Sequence, residues 1–294
     1  MTSAPRVSVV VPAYQEEATI GELVGRVRAV DPGFEVIVVD DGSTDRTGER
    51  AREAGADVVR HPYNVGNGAA IRTGARRSRG EVIVFLDGDG QHPPEEIPDL
   101  LRHVGDYDMV VGARSSGSES ALHRRIGNWG LIRFAEVLTS HRIPDLTSGF
   151  RAVKRERFFE FIHLLPNRYS YPTTITIALL QSGYFVHYVP LAGVKKRAAG
   201  RSHLHPLRDG FRFLNIILRM IMLFGPQRIF LPACAVLLAG GMGLLGYQLL
   251  GTGGIRGGSV ILIMSGLIVF LFGLVAEQIA AIRRELARPR SDDR

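Results

Sequence analysis

The chain has 294 residues, of which 45% are hydrophobic and 22% charged, and this composition excludes a wholly disordered or collagen-like protein. Its 36 basic and 29 acidic residues give a net charge of +7, which suits a phosphate-bearing ligand or an anionic membrane surface. The single cysteine, Cys234, excludes a domain stapled by internal disulfides.

Five short apolar runs in the first part of the chain have the length and β-branched content of buried strands. They are VSVVV (7–11), EVIVVD (35–40), ADVVR (56–60), EVIVFLD (81–87) and DMVVGAR (108–114). Helical patterns such as EEATIGELVGRVRAV and GNGAAIRTGARRS lie between them. Strands that alternate with helices of this length predict βαβ units, and therefore an α/β fold with a mostly parallel sheet.

The C-terminal part is far more apolar, and between residues 229 and 282 its only formally charged residues are Arg256 and Glu277. The stretches 229–250 and 259–281 are each long enough to cross about 30 Å of hydrocarbon, so they predict a membrane hairpin rather than buried core helices. Arginines flank its outer ends, and the positive-inside bias therefore predicts that the N-terminal domain and both termini are cytoplasmic. These flanking residues are Arg228, Arg283, Arg284, Arg288 and Arg290.

A third segment, LRDGFRFLNIILRMIMLFG (207–225), has arginines at helical spacing among large apolar residues. This pattern predicts an amphipathic helix in the membrane interface, although a helix packed on the globular domain is the alternative. The predicted organisation is thus a domain over 1–206, an interfacial helix over 207–226, and two membrane helices with a basic tail over 227–294. Small residues in AGGMGLLG allow close helix contact, which leaves homo-oligomerisation open.

The strongest chemical signal is FLDGDGQHPPEEIP (85–98). An apolar strand delivers Asp87 and Asp89 to its carboxyl end, where ligands bind in open α/β sheets. Residues two apart in an extended segment point the same way, and Gln91 follows at the same spacing. These oxygens suit a divalent cation that keeps several waters and bridges phosphates, whereas the competing interpretation is a solvated turn.

Three further segments also leave a strand and enter a helix. VVDDGSTDRTG places Asp40 and Asp41 where an acid can accept hydrogen bonds from a base or a ribose, or where it merely caps the next helix. VVPAYQEE places Glu16 favourably in the first turn of a helix. HPYNVGNGAAIRTG is glycine-rich and opens a helix, which suits close approach of the backbone to a ligand.

In this order and spacing, these segments resemble the GT-A domain of family 2 glycosyltransferases. Within that family the chain is similar to dolichyl-phosphate mannose synthases and related polyprenyl-phosphate glycosyltransferases, some of which carry a membrane hairpin after the domain. The resemblance covers residues 6 to about 205. The segments that carry it are VVPAYQEE, VVDDGSTD, NVGNGAAIRTG, FLDGDGQHPPEEIP, VVGAR, DLTSGFR and RAAGRS.

The resemblance implies a metal-dependent, inverting transfer of a monosaccharide from a GDP- or UDP-linked sugar to a polyprenyl phosphate, with no nucleic-acid partner. The metal, Mg²⁺ or Mn²⁺, would bind Asp87, Asp89 and Gln91. The implied nucleotide-sugar contacts are Pro12, Tyr14, Glu16, Asp40, Asp41, Gly68, Asp87, Gly88, Asp89 and Arg197. The implied catalytic residues are Asp89, Arg114, Asp145 and Arg201, and the implied acceptor-phosphate contacts are Arg114, Arg124, Arg125, Ser148 and Ser202.

The sequence departs from the family pattern at two places. Gln15 replaces the usual Asn of the first motif, and HRRIGNW (123–129) lacks an expected Ser beside Arg124 and Arg125. The QxxRW motif of processive polysaccharide synthases is absent from the sequence, which argues against a polymerase. The alternatives are transfer to another lipid or to a glycan, a nucleotidyltransferase, and a non-catalytic scaffold that would have no use for these acids.

The acceptor decides what Asp145 does. A phosphate monoester is mostly dianionic at neutral pH because its second pKa is about 6, so it needs positioning more than a general base. Asp145 would then orient an arginine or the sugar. If the acceptor were a sugar hydroxyl, Asp145 would be the leading candidate for the base.

Overall fold

A computed structural model describes residues 6–114, 132–133, 135–136, 139–167, 171–191, 218, 221–251 and 257–287 of the chain. The chain divides into two compact units, Met1–Ile216 and Ile217–Arg294. The predicted interfacial helix over 207–226 lies largely outside the described residues.

The first unit is built on a seven-stranded sheet with the order β3-β2-β1-β4-β6-β5-β7. Strand β6 runs antiparallel to both of its neighbours, and every other pair is parallel. All five predicted strands occur, which confirms the mostly parallel α/β fold, and β6 and β7 are additional. The strands are β1 Val7–Ala13, β2 Glu35–Asp40, β3 Asp57–Arg60, β4 Val82–Phe85, β5 Met109–Arg114, β6 Arg151–Lys154 and β7 Val186–Leu191.

Helices cover both faces of this sheet. Alternation along β1 sends Val9 into a core shared with Leu23 of α1, and Val10 into a second core shared with Ile71 of α3. Because both faces are buried, the strands read as continuous apolar runs. The helices are α1 Ile20–Val30, α2 Thr47–Glu53, α3 Asn67–Arg77, α4 Ile97–Leu101, α5 Arg155–Phe161 and α6 Tyr171–Gln181, with 3₁₀ turns at Pro94–Glu96 and Ile162–Leu164.

The topology gathers the carboxyl ends of the parallel strands at one edge of the sheet. The last residues of β1 and β2, Ala13 and Asp40, are register partners. The antiparallel β6 begins at the same edge, because Arg151 pairs with Phe85 of β4. Leu191 ends β7 as the partner of Arg114, so β7 also ends at this edge.

The second unit is a hairpin of two helices, α7 Gln227–Gly251 and α8 Gly257–Ala287. Both are long and apolar enough to cross a membrane, with mean hydropathy of 2.1 and 2.7. Glycine permits their close approach, since a Cβ at Gly266 would lie 2.8 Å from Leu238 Cδ2. The Ser259 hydroxyl donates to Gln248 Oε1 at 2.9 Å, which satisfies two buried polar groups between the helices.

Candidate active site

A cavity of about 350 Å³ opens at the carboxyl edge of the sheet. It is formed by the ends of β1, β2 and β4 and by the first turn of α3. Four of its side chains are carboxylic acids, an arrangement that suits a cation together with a polar ligand. The lining residues are Pro12, Ala13, Tyr14, Glu16, Asp41, Asn64, Gly66, Asn67, Ala70, Asp87, Gly88 and Asp89.

The segment after β4 is held close to β1. The Gly88 amide donates to the Pro12 carbonyl at 3.2 Å, and a Cβ at Gly88 would lie 2.9 Å from that same oxygen. Glycine is therefore required where this segment turns, and the turn leaves Asp87 and Asp89 partly exposed in the cavity. The backbone amide of Gln91 donates to Asp89 Oδ1 at 3.1 Å.

The donor atoms in the cavity fit a divalent cation that carries phosphate. Asp87 and Asp89 supply hard carboxylate oxygens, as Mg²⁺ and Mn²⁺ prefer. Within the described part of the chain, no group of three or more His, Cys, Asp or Glu side chains forms a metal cage. A cation held here would therefore complete its coordination with the Gln91 side chain, water or phosphate oxygens.

The two adjacent acids after β2 have different surroundings. Asp41 lines the cavity, whereas Asp40 lies outside its wall and is fully buried. Asp40 Oδ1 accepts the Ser43 amide at 2.9 Å, and Asp40 Oδ2 is 3.5 Å from Arg60 Nε. Of these two acids, both predicted to contact the nucleotide sugar, Asp41 is the one that lines the cavity.

Asp41 also fixes the loop that precedes α3. Its Oδ1 accepts the Val65 amide at 3.0 Å and its Oδ2 accepts the Gly66 amide at 2.7 Å. His61 Nδ1 lies 2.7 Å from Asp41 Oδ1, and its Nε2 lies 2.9 Å from the Thr73 hydroxyl. Asp41 thus lines the cavity and also positions the loop before α3.

Gly68 does not line the cavity and instead packs against the main chain at Pro166. A Cβ at this position would lie 1.9 Å from the Pro166 carbonyl oxygen. We expect Gly68→Ala to lower the free energy of unfolding by about 1–3 kcal/mol, because the backbone must move to admit the methyl group. Urea titration measures the change.

Gly25 in α1 provides the matched control for Gly68, because a Cβ there would meet no atom within 4 Å. Gly25→Ala should be neutral or stabilising by up to about 1 kcal/mol, since alanine favours a helix. Equal stability of the two variants would contradict the packing role of Gly68.

Arg114 and Asp145 form a bidentate ion pair, and Asp87 is a charged neighbour of Arg114. Arg114 Nε donates to Asp145 Oδ2 at 2.8 Å and its Nη2 donates to Oδ1 at 3.1 Å. The Thr147 and Ser148 amides also donate to Asp145 Oδ1, each at 3.0 Å. Burial disfavours the charged carboxylate, but the hydrogen bonds and charge of Arg114 outweigh it and lower the pKa of Asp145. The hydrogen bonds from the same pair raise the pKa of Arg114 against the effect of burial.

The remaining predicted side chains lie in other settings. Ser148 is buried, and its hydroxyl donates to the Gly112 carbonyl at 2.6 Å, which ties its turn to β5. Tyr14 and Glu16 line the cavity through a backbone turn at Gln15, whose φ of 57° is left-handed. The predicted residues outside the described part of the chain are Arg124, Arg125, Arg197, Arg201 and Ser202.

His92 is a neighbour of the site that sequence reasoning missed. It is 4% exposed and stacks on Phe150, with ring centroids 5.6 Å apart. Burial lowers the pKa of His92 to about 4, with Asp89, Arg114 and Asp145 as its charged neighbours. The buried ring is therefore neutral at physiological pH. Only its position one residue after Gln91 could have drawn notice to it.

Comparison with known proteins places these features in a family. Residues 8–160, more than half of the chain, match the model of glycosyl transferase family 2. The chain belongs to glycosyl transferase family 2. Residues 225–282 of this transferase also match the model of the GtrB C-terminal hairpin, so the predicted family resemblance is confirmed for both units.

The similarity to individual proteins covers most of this family 2 transferase. An undecaprenyl-phosphate 4-deoxy-4-formamido-L-arabinose transferase of Pseudomonas paraeruginosa is 32% identical over 82% of this chain and 70% of its own. An uncharacterized protein of Methanocaldococcus jannaschii is 34% identical over 62% of this chain and 79% of its own. The structure of Mycobacterium tuberculosis glucosyl-3-phosphoglycerate synthase with Mn²⁺ and UDP-glucose has a TM-score of 0.59 and 25% identity, and the match covers 74% of this chain and 79% of that one.

Proposed function

We propose that this family 2 glycosyltransferase moves a monosaccharide from a nucleotide sugar to a polyprenyl phosphate at a membrane surface. The observation that carries the proposal is the presence of an acid-lined cavity and an apolar helical hairpin in one chain. The Pseudomonas relative is named for transfer to undecaprenyl phosphate, and its similarity covers 82% of this chain, which is more than the first unit contains. The similarity therefore extends into the hairpin.

The cavity provides for the nucleotide sugar. The nucleoside would lie against Tyr14 and Asp41, and its diphosphate would lie near Asp87 and Asp89. A Mg²⁺ or Mn²⁺ ion held by Asp87, Asp89 and Gln91 would offset the charge of the leaving diphosphate. UDP-glucose is the first donor to test because the similar mycobacterial enzyme was crystallised with it, and GDP-mannose is the second.

Asp145 and Arg114 have the surroundings of an orienting pair. Both carboxylate oxygens of Asp145 already accept hydrogen bonds, and the lowered pKa of the acid makes it a weak base. A dianionic phosphate acceptor needs no such base. Arg114 would instead present positive charge at a fixed position near the reacting phosphates. The proposed transfer is a single displacement with inversion, as the family resemblance implies.

Transfer into lipid tests the proposal directly. Full-length protein in detergent is incubated with undecaprenyl phosphate, Mn²⁺ and labelled nucleotide sugars, and label entering the organic phase is counted. Label from one donor, lost with EDTA, supports the proposal and names the sugar. Donor hydrolysis or binding without lipid labelling would contradict it and favour a soluble, lipid or glycan acceptor.

The hairpin is proposed to hold the protein in the membrane, with both termini on the cytoplasmic side. Deleting residues 227–294 should make the remaining protein extractable from membranes by alkaline carbonate, because both apolar helices are removed. The full-length chain should stay in the pellet. Retention of the truncated protein in the pellet would instead assign the anchor to residues 207–226.

A further inference from the structure

Arg151, the first residue of β6, is a fully buried arginine, and arginine is almost never fully buried unless it is paired. Its Nε donates to the Ser148 carbonyl at 3.2 Å, and its Nη2 donates to the same oxygen. Its Nη1 donates to the Pro172 carbonyl at 3.0 Å and to the Thr176 hydroxyl at 3.1 Å. Within the part of the chain that the structure describes, Arg151 has no hydrogen bond to a carboxylate. A buried cation with neutral partners is costly, which calls for a reason beyond packing.

Arg151 and Tyr171 each hold one carbonyl group of the same turn, residues 145–149. Arg151 holds the carbonyl of Ser148, and the Tyr171 hydroxyl donates to the carbonyl of Gly149 at 3.0 Å. The Arg151 guanidinium also lies over the Tyr171 ring, 5.7 Å from its centroid. Two buried side chains thus clamp consecutive carbonyl groups of the turn.

The same turn contacts both halves of the site. At its start, Asp145 binds Arg114 through two hydrogen bonds. At its end, Gly149 lies so close to Asp87 that a Cβ would be 2.1 Å from Asp87 Oδ2. A displacement of the turn is therefore expected to move the ion pair and to change the packing of Gly149 against Asp87.

We propose that Arg151, together with Tyr171, is a positioning residue that fixes the turn 145–149 and thereby orients Asp87 for the divalent cation. The inference rests on the metal site of the proposed function. Arginine suits this task because its planar fork donates to two segments at once, whereas lysine offers a single nitrogen. Partners behind a metal ligand are worth about 10–100-fold in metal affinity in other proteins.

Mn²⁺ binding by the full-length protein in detergent tests the inference without any acceptor lipid. Free Mn²⁺ is measured by electron paramagnetic resonance in the presence of UDP or GDP, whichever tightens binding by the wild type. Arg151→Met should raise the Mn²⁺ dissociation constant about tenfold or more, and Arg151→Lys should give an intermediate value. The matched control is Arg155→Met, since Arg155 lies on α5 with its guanidinium 4.5 Å from the Phe159 ring. This control should bind Mn²⁺ as the wild type does.

Tyr171→Phe keeps the test decisive if Arg151→Met does not fold, because it removes one hydroxyl and leaves the ring. It should weaken Mn²⁺ binding while leaving the protein folded. The inference is overturned if folded Arg151→Met binds Mn²⁺ with wild-type affinity. If Arg151→Met does not fold, wild-type affinity in Tyr171→Phe overturns it. Equal weakening in the Arg155→Met control also overturns it. Absence of lipid labelling by a wild type that binds Mn²⁺ counts against the proposed acceptor only. A wild type that binds no Mn²⁺ overturns the inference together with the metal site.

Discussion

Asp89→Ala should lower sugar transfer about a thousandfold or more at saturating Mn²⁺ while leaving the protein folded. A metal clamp on a leaving diphosphate contributes several kcal/mol, and each 1.36 kcal/mol corresponds to a factor of ten in rate. Asp89 is partly exposed on the wall of a cavity, so its removal costs little stability. The measurement is the initial rate of label transfer, with circular dichroism as the check on folding.

Asp99→Ala is the matched control for Asp89, because Asp99 lies on α4 outside the cavity and pairs with Arg102 at 2.8 Å. Surface pairs of this kind are worth about 0–1 kcal/mol, so the control should transfer sugar at the wild-type rate. Wild-type transfer by Asp89→Ala would remove the proposed metal site.

Asp145→Asn should have the second large effect, this time on both stability and rate. The variant keeps the shape of the side chain but leaves the Arg114 cation without its counter-charge. Removing one partner of a fully buried pair costs about 3–5 kcal/mol, and we expect about 2–3 kcal/mol here because the Arg114 side chain is 34% exposed. Transfer should fall about a hundredfold in the folded protein, since Arg114 loses its fixed position.

Asp108→Asn separates these two effects. Asp108 is a buried acid that pairs with Lys154 and Arg157, each at 3.5 Å, and it lies outside the cavity. This control should lose stability in urea titration but keep its rate per folded molecule. If Asp145→Asn also kept its rate, the orienting role of the pair would be wrong.

The pH dependence of Asp145 follows from the direction of its pKa. A lowered pKa in the folded state means that the stabilisation is fully present above the ordinary value of about 3.9 and is lost only as pH falls below it. Between pH 5 and 8 the transfer rate of the wild type should therefore show no rise or fall that is due to titration of Asp145. A limb of the pH profile that is present in the wild type and absent from Asp145→Asn would contradict this expectation. Such a limb would identify Asp145 as a base.

The sheet was predictable from the sequence where strands are buried on both faces. EVIVVD predicts β2 over residues 35–40, and the structure has Glu35–Asp40. Strand β6 was not predicted, because four residues of RAVK carry no distinct periodicity and their pairing with β4 and β5 is set by the fold. Local sequence also contains no signal for antiparallel insertion of a strand into a parallel sheet.

The site was predictable to the level of motifs but less so to the level of single side chains. Asp40 and Asp41 are equivalent in sequence, yet neighbouring residues of an extended chain point to opposite sides, and only the tertiary fold shows that Asp41 faces the cavity. Gly68 has the sequence context of a ligand loop, but its restriction comes from Pro166, nearly a hundred positions away. Contacts of that range leave no local pattern.

The Arg114–Asp145 pair also bears on how the enzyme can diversify. The two residues are 31 positions apart in the chain, yet two hydrogen bonds join their side chains at one point of the sheet edge. The pair therefore holds the two ends of the intervening sequence, Arg114 and Asp145, at one place. That interval includes Arg124 and Arg125. If these arginines bind the acceptor, as the family resemblance implies, exchanging the interval between relatives should alter the choice of acceptor.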